Sequence, residues 1–365
     1  MSLQCGIIGI TNIGKTTLFN CISSTKAQST NFAFSSNKSN IGMINVPDKR
    51  LYELEKLQPT EKIVPATVEI VDIPGLTKGA NKGEGVGNKF LADIRNTDAL
   101  IHVLRCFDDE NLPHIDGSVD PVRDMETVDF ELQLKDLESI EKKILKVEKL
   151  VKVGDKEAKH HLEILTVYKD HLESFQNART APVSEDDQSV IDDLFLLTMK
   201  PVLFACNVDE KSAINGNKYV EQVKEALKDK DSELLVIAAG LEAEIAELES
   251  EEDRMEFLQD VGLHEPGVNR LIRSAYSLLD LMSFFTVGPK EIRAWTIKRG
   301  MTAPQAAGAI HSDLERGFIR AEVMKYDDFI TLKSEQACKE KGKLFVEGKN
   351  YVVGDGDILH IRFNV

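Results

Sequence analysis

The segment Gly9-Ile10-Thr11-Asn12-Ile13-Gly14-Lys15-Thr16 decides how the N-terminal part of this chain folds. It spells GxxxxGK[ST], follows the apolar run 3–8 and precedes residues 17–22, whose apolar positions have helical spacing. In that context the loop amides and the positive helix N-terminus can surround phosphate oxygens. Lys15 would reach the β- and γ-phosphates, and the Thr16 hydroxyl would hold Mg²⁺. The alternative, a chance glycine pair in a strand–helix turn, is disfavoured by the matching context.

Composition indicates an ordinary globular protein. The 365 residues are 42% hydrophobic and 29% charged, a length that predicts two or three domains. No apolar run approaches the roughly 18 residues of a membrane span, and no basic-then-apolar leader precedes the first strand, so no membrane association is expected. The five cysteines are far apart without CxxC spacing, which favours buried thiols in a reducing, cytoplasmic setting.

The net charge of −16 argues against a protein that coats nucleic acid along its whole surface. Residues 281–365 differ, with 13 Lys and Arg against 11 Asp and Glu. This small excess gives direct nucleic-acid contact only weak support. The basic residues that could contact phosphates there, or simply solvate the surface, are Lys298, Arg299, Arg316, Arg320 and Lys325.

Strand-like and helical patterns alternate along most of the chain, which predicts an α/β fold with a mostly parallel sheet and ligands at the carboxyl ends of its strands. The alternation stops between residues 129 and 200, where apolar residues at three- and four-residue spacing predict a helical hairpin with coiled-coil character. Short strands and tight turns after residue 281 predict a compact α+β module. The predicted domains are 1–128 with 201–280, the inserted hairpin 129–200, and the module 281–365.

A second nucleotide motif, Asp72-Ile73-Pro74-Gly75, follows the apolar strand 68–71. The carboxylate can order the Mg²⁺ shell, and the Gly75 amide can donate to a γ-phosphate. Residues 79–87 contain four glycines, which suits a segment that becomes ordered when the γ-phosphate is bound. A static loop is the alternative, but the pairing with DxPG favours the switch.

Two positions depart from the Ras-like GTPase pattern. Leu76 stands where those enzymes have the glutamine that orients the attacking water, and it cannot form a hydrogen bond. Asn207-Val208-Asp209-Glu210 stands where Asn-Lys-x-Asp would recognise guanine. Val208 replaces the lysine that lies along the base, and Glu210 is one methylene longer than the aspartate. These changes weaken the case for guanine and open the site to adenine.

Together these residues resemble the YchF family, the Obg-like ATPases of the translation-factor class of P-loop proteins. The likeness covers essentially the whole chain. Besides the motifs above, it is carried by the segments Gly83-Glu84-Gly85-Val86-Gly87-Asn88-Lys89-Phe90-Leu91, Arg105-Cys106-Phe107, Gly154-Asp155-Lys156, Ala239-Gly240-Leu241-Glu242-Ala243-Glu244, Arg293-Ala294-Trp295-Thr296-Ile297, Ala303-Pro304-Gln305-Ala306-Ala307-Gly308, Gly317-Phe318-Ile319-Arg320-Ala321 and Phe363-Asn364-Val365.

The resemblance implies a Rossmann-like nucleotide domain, an inserted coiled coil and a C-terminal β-grasp module of the TGS type. It also implies ATP in preference to GTP, slow hydrolysis, and association with ribosomes. His114 matches a family histidine thought to replace the missing glutamine, and Asn12 resembles the asparagine of K⁺-stimulated relatives. In the region that corresponds to switch I, Ser36 keeps a hydroxyl for the metal although the surrounding residues depart from the family pattern.

These arguments give one set of expected site residues. We expect catalysis by His114 and Lys15, nucleotide binding by Asn12, Ile13, Gly14, Lys15, Thr16, Thr17, Gly75, Asn207, Val208, Glu210 and Ala239, and Mg²⁺ binding by Thr16, Ser36 and Asp72. Three functions stay open: an ATPase switch coupled to ribosome binding, a GTPase with relaxed base specificity, and an ATP-gated adaptor without essential turnover.

Overall fold

The computed structural model describes residues 3–24, 40–76, 86–228, 230 and 232–364. Its strands are β1 (Gln4–Ile8), β2 (Asn40–Asn45), β3 (Ile63–Val64), β4 (Thr67–Asp72), β5 (Ala99–Arg105), β6 (Val202–Asn207), β7 (Leu234–Ile237), β8 (Leu281–Val287), β9 (Ile292–Lys298), β10 (Phe318–Met324), β11 (Leu344–Glu347) and β12 (Ile358–Phe363). Its α-helices are α1 (Lys15–Ser24), α2 (Lys49–Leu57), α3 (Val86–Arg95), α4 (Pro121–Lys152), α5 (Lys156–Glu173), α6 (Glu185–Gln188), α7 (Lys218–Leu227), α8 (Ala239–Glu247), α9 (Glu251–Asp260), α10 (Gly267–Leu278), α11 (Ala303–Ile310), α12 (Ser312–Arg316), α13 (Tyr326–Leu332) and α14 (Glu335–Glu340).

The first sheet has the strand order β2-β4-β1-β5-β6-β7. β1 pairs in parallel with β4 and β5, and β5, β6 and β7 continue the parallel arrangement. Every residue of β5 and β6 is buried, as expected for strands covered on both faces. The segments that follow β1, β4, β6 and β7 therefore meet at one edge, and the predicted α/β class is confirmed.

The inserted hairpin consists of α4 and α5, joined by a turn in which Gly154 has φ of 89°. α4 begins at Pro121, capped by the Asp120 side chain, and thus earlier than residue 129. The hairpin has its own core, to which both helices and the segment after them contribute. Its buried members include Ile140, Val147, Leu165, Tyr168, Leu172, Val190, Ile191 and Leu196.

The second sheet has the order β11-β10-β12-β8-β9-β3. β10 is antiparallel to β11 and β12, β8 is antiparallel to β9, and β12 with β8 and β3 with β9 are parallel pairs. α11 packs on this sheet through Ala303, Ala306 and Ala307. The mixed sheet with its packed helix agrees with the α+β module predicted for the C-terminal part.

Contacts divide the chain into two compact units, Met1–Gly42 with Glu69–Leu271 and Met43–Val68 with Ile272–Val365. This division differs from the predicted one, which gave residues 43–68 to the nucleotide domain. In the second unit β3 pairs with β9, and Arg50 of α2 donates to Asp355 at 2.9 Å. Nothing in a two-residue strand predicts such pairing. None of the described helices combines the length and apolarity that crossing a bilayer demands.

Candidate nucleotide-binding site

Three left-handed backbone positions shape the loop between β1 and α1. Gly9, Asn12 and Gly14 have φ of 141°, 60° and 90°. A Cβ atom on Gly9 would lie 2.7 Å from the carbonyl oxygen of Val103, and one on Gly14 would overlap the side-chain nitrogen of Asn207. Both glycines of the motif are therefore required by backbone conformation and by close packing, and asparagine tolerates this conformation better than most residues.

Lys15 begins α1 and is almost completely buried. Its ammonium group donates to the carbonyl oxygens of Gly9, at 3.1 Å, and of Ile10. A Cβ atom on Gly75 would lie 2.9 Å from this nitrogen, so the glycine leaves room for the lysine. Burial lowers the pKa of Lys15 to about 8, and the negative charge of Asp72 partly offsets that effect. The ammonium group of Lys15 thus lies within the loop, beside the end of β4.

Two of the three predicted metal ligands lie close together. Thr16 Oγ1 is 3.3 Å from Asp72 Oδ2. Burial raises the pKa of Asp72, while Lys15 and the Thr16 hydroxyl act in the opposite direction. A hydroxyl and a carboxylate are oxygen ligands of the kind that Mg²⁺ prefers. The third predicted ligand, Ser36, lies outside the described residues, as do residues 79–85 of the glycine-rich segment.

Leu76, which stands in place of the water-orienting glutamine, belongs to the core. It is 2% exposed, its amide donates to the Gly9 carbonyl at 3.0 Å, and it forms a parallel bridge with Ile10. The side chain is therefore committed to packing. If water attacks a bound phosphate here, a group from another segment must orient it.

Asn207, at the end of β6, connects the phosphate loop to α8. Its side-chain nitrogen donates to the Ile13 carbonyl at 2.9 Å, and its side-chain oxygen accepts from the Ala239 amide at 2.9 Å. Ile13 and Ala239 are themselves buried. Both polar atoms of the Asn207 side chain thus take part in bracing, each with one hydrogen bond.

The next three residues provide little that could read a guanine edge. Val208 is buried, and its amide donates to the Ile237 carbonyl at 2.9 Å. The Asp209 carboxylate accepts from the Ser212 amide at 3.0 Å and caps a 3₁₀ helix. Glu210 is exposed. Of the other expected binding residues, Thr17 lies exposed on α1.

His114 is held by contacts on both ring nitrogens. Nε2 lies 2.9 Å from Asp124 Oδ2, and Nδ1 accepts from the Asp116 amide at 3.1 Å. Because Nδ1 accepts, the neutral ring carries its proton on Nε2 and donates it to Asp124. The side chains of His114 and Asp124 are 4% and 3% exposed. In this arrangement neither nitrogen is free to bind a water molecule.

Arg105 positions the loop that leads to His114, a role that the sequence did not suggest. It is 1% exposed at the end of β5. Its guanidinium donates to the carbonyls of Phe107, at 3.1 Å, and Leu112, at 2.8 Å, and lies 4.7 Å from the centre of the Phe107 ring. A buried cation satisfied by loop carbonyls fixes the loop backbone. A basic residue at the end of a mostly apolar strand was the available signal.

The chain is similar to known proteins over its whole length. A model named YchF-GTPase_C, described as a protein of unknown function, matches residues 281–364, and one described as a 50S ribosome-binding GTPase matches residues 4–147. Proteins named ribosome-binding ATPase YchF from Bacillus subtilis and Escherichia coli O157:H7 are 48% and 46% identical, over all of each chain. A structure titled YchF GTPase, from Schizosaccharomyces pombe, is 33% identical with a TM-score of 0.88, covering 99% of this chain and 98% of that one.

Proposed function

The chain belongs to the YchF family, and on that premise we propose that it is a ribosome-associated ATPase whose nucleotide state governs its binding to the ribosome. The observation that carries the proposal is the convergence of Lys15, Thr16, Asp72 and Gly75 at one edge of the first sheet. These residues supply a cation for phosphate oxygens, two oxygen ligands, and a backbone amide at a position where a side chain would not fit.

The metal proposed for this site is Mg²⁺, held by Thr16 and Asp72. The fit is supported by the 3.3 Å separation of their oxygens and by the burial of Asp72 beside Lys15. When bound, the ion would neutralise charge on the phosphates. The ammonium of Lys15 would bind the β- and γ-phosphates, and the Gly75 amide would donate to the γ-phosphate. Activation by K⁺ through Asn12 stays a prediction, which a comparison of turnover in KCl and NaCl would test.

Preference for ATP over GTP is supported by the segment 207–210. The Asn207 amide and the Asp209 carboxylate are already hydrogen-bonded within the protein, and Val208 is buried. The remaining carboxylate of the segment, that of Glu210, is exposed and one methylene longer than the guanine-reading aspartate, so guanine would find no preorganised carboxylate for its N1 and N2 donors. Separate titrations with labelled ATP and GTP test this, with tighter ATP binding expected. Clearly tighter GTP binding would favour the alternative, a GTPase with relaxed base specificity.

We further propose that His114 orients the attacking water after the histidine ring has broken its hydrogen bond with Asp124. The starting contacts on both ring nitrogens would make basal hydrolysis slow, because they must break first. His114→Ala is expected to keep ATP binding and lower turnover by about 10²-fold or more, the usual range for loss of a general acid–base or positioning group. Thr127→Ala, a polar change on the adjacent helix, serves as control. Normal turnover in the histidine variant would remove His114 from the mechanism.

An ATP-gated adaptor is the second candidate, favoured by the core position of Leu76 and by the engaged His114 ring. Ribosome capture in ATP, ADP and a non-hydrolysable ATP analogue separates the two. The switch requires hydrolysis for release, whereas an adaptor releases the ribosome on simple nucleotide exchange. We expect both partners, ATP and ribosomes, to be met in the cytoplasm.

A further inference from the structure

The second sheet ends in an exposed edge strand. β11 is the first strand in the order β11-β10-β12-β8-β9-β3, and it pairs with β10 in a register that runs from Met324 opposite Leu344 to Ala321 opposite Glu347. Its outer edge has no strand partner among the residues that the structure describes. A strand with one free edge presents unpaired N–H and C=O groups to another chain. The edge of β11 is therefore a surface at which an extended segment can bind.

The side chains of β11 leave apolar surface uncovered at this edge. Phe345 is 42% exposed and Val346 is 62% exposed. Phe345 lies opposite Val323, a buried member of the core to which α11 contributes, and so lies on the same face of the sheet as that core. Val346 lies opposite Glu322 and therefore points to the other face. Exposed apolar residues on both faces of an edge strand favour association over a permanently solvated edge.

The sequence around β11 is complementary to itself. In an antiparallel pair of two copies with the two-fold axis at Phe345, this residue lies opposite its own counterpart. Lys343 then lies opposite Glu347, and Leu344 lies opposite Val346. Because alternate residues share a face, an ion pair flanks the aromatic pair on each side, and the leucine and valine side chains meet on the other face. Every side chain of the segment 343–347 thus meets a partner of matching chemistry.

Other arrangements of two copies match less well. Moving the axis to Val346 would set Phe345 opposite Glu347. It would also set Lys343 opposite Lys349, a repulsive pair. An in-register parallel pair would set every charge opposite its like. The axis at Phe345 also provides a partner for Glu347, whose side chain forms no hydrogen bond or ion pair with any described residue.

We propose that the free edge of β11 binds β11 of a second copy of this chain and forms a two-fold symmetric dimer, in which the second sheets of the two chains join into one. A ladder over residues 343–347 buries far less than the roughly 1,200 Å² of stable interfaces, so the dimer is weak and forms at high concentration. Lys341 and Lys349, which flank β11, face each other beyond the ladder and lower the affinity further. All of these residues belong to the second unit, so the dimer does not depend on the proposed ATPase activity.

Charge exchange tests this pairing, because each substitution acts twice in a symmetric dimer. Sedimentation equilibrium of the full chain from about 5 to 500 μM gives the dissociation constant. We expect Lys343→Glu and Glu347→Lys each to weaken self-association at least about tenfold, since like charges then lie opposite each other. The two changes shift the net charge in opposite directions, so net charge cannot explain a loss in both. Lys290→Glu, an exposed residue in the turn between β8 and β9, is the control and should keep the wild-type value.

Two combinations of these changes should restore the dimer. The double variant Lys343→Glu with Glu347→Lys again sets opposite charges across the axis, and an equimolar mixture of the two single variants does so in a heterodimer. Both should associate within about threefold of the wild type. Lys343 also forms an ion pair of 3.2 Å with Asp328, which the double variant still lacks. Recovery in the double variant therefore assigns the loss to the cross-strand pairs.

Three results would count against the dimer. A wild-type chain that stays monomeric throughout this range would overturn the proposal and leave a strand of a different protein as the occupant of the edge. A dimer that all the variants form equally would place the interface on another surface. Losses in the single variants that neither the double variant nor the mixture recovers would equally contradict the pairing about Phe345.

Discussion

Asn207 and Asp136 each join distant stretches of the first unit, but one does so with a neutral amide and the other with a carboxylate. Asn207 joins the phosphate loop to the start of α8. Asp136, within α4, accepts from the amides of Leu197 and Thr198 and from the Thr198 hydroxyl, all at 2.7 Å. Both side chains are buried. The two braces therefore differ chiefly in that only Asp136 can ionise.

The difference concerns sensitivity to pH. An amide has no proton to gain or lose, so the brace at the nucleotide edge has the same strength throughout the physiological range. Burial raises the pKa of Asp136 to about 6, although its three donors act in the opposite direction. The contact between α4 and the segment 197–198 therefore responds to pH, whereas the Asn207 brace does not.

The largest effect is expected from Asp136→Ala, which would leave two buried amides and a hydroxyl without an acceptor. Buried unsatisfied donors cost about 1–3 kcal/mol each. We therefore expect the local stability of the contact between α4 and the segment 197–198 to fall by about 3–5 kcal/mol. Faster amide exchange in the segment 190–200, followed by mass spectrometry, measures it.

The control for this change is Asp155→Ala. Asp155 also accepts from two backbone amides, those of Glu157 and Ala158, but it is exposed at the hairpin turn. Its loss should cost only about 1 kcal/mol, as for other helix N-caps. Equal exchange in the two variants would show that burial adds nothing to the Asp136 brace.

Asn207→Ala is expected to have the next largest effect. It leaves the Ile13 carbonyl and the Ala239 amide unpaired, at a cost of about 2–3 kcal/mol, and it lowers ATP affinity by roughly tenfold or more because the loop loses its support. Asn217→Ala is the control, since it removes a bonded asparagine that caps α7 and donates to the Cys106 carbonyl. ATP affinity that falls equally in both would mean that Asn207 is no special support of the loop.

The two braces also differ in what the sequence revealed. The 207–210 segment stood out because it departs from a known base-reading pattern, so Asn207 was expected at the site, whereas its bracing of the phosphate loop was not predicted. Asp136 lies in no motif. The apolar spacing of the hairpin predicted that its charged outer faces are solvated. That spacing cannot distinguish an aspartate that packs against the 3₁₀ helix 197–199 from one that is exposed to water.

Elsewhere too, features that depend on local sequence could be predicted, and features that depend on distant contacts could not. The phosphate loop and Asp72 could be predicted because strand, turn and helix are local. Phe175 continues the three- and four-residue apolar spacing of the hairpin in the sequence, yet it is 66% exposed with φ of 58°, since α5 ends at Glu173 and the chain reverses there. The pairing of β3 with β9 spans more than two hundred residues and follows from no local pattern.

The smallest effect is expected from pH itself. The folded-state pKa of Asp136, about 6, lies above its ordinary value of 3.8, so the folded protein binds this proton more tightly than the unfolded chain. Stability from this group is therefore greatest at low pH and falls as pH rises through that window. Between pH 5 and 7 the wild type should lose about 1 kcal/mol relative to Asp136→Asn, which cannot ionise. Amide exchange in the segment 190–200 at both pH values, corrected for intrinsic rates, gives the difference. A gap between wild type and Asp136→Asn that stays constant with pH would mean that the carboxylate is as well solvated by its three donors as by water, and the contrast with Asn207 would disappear.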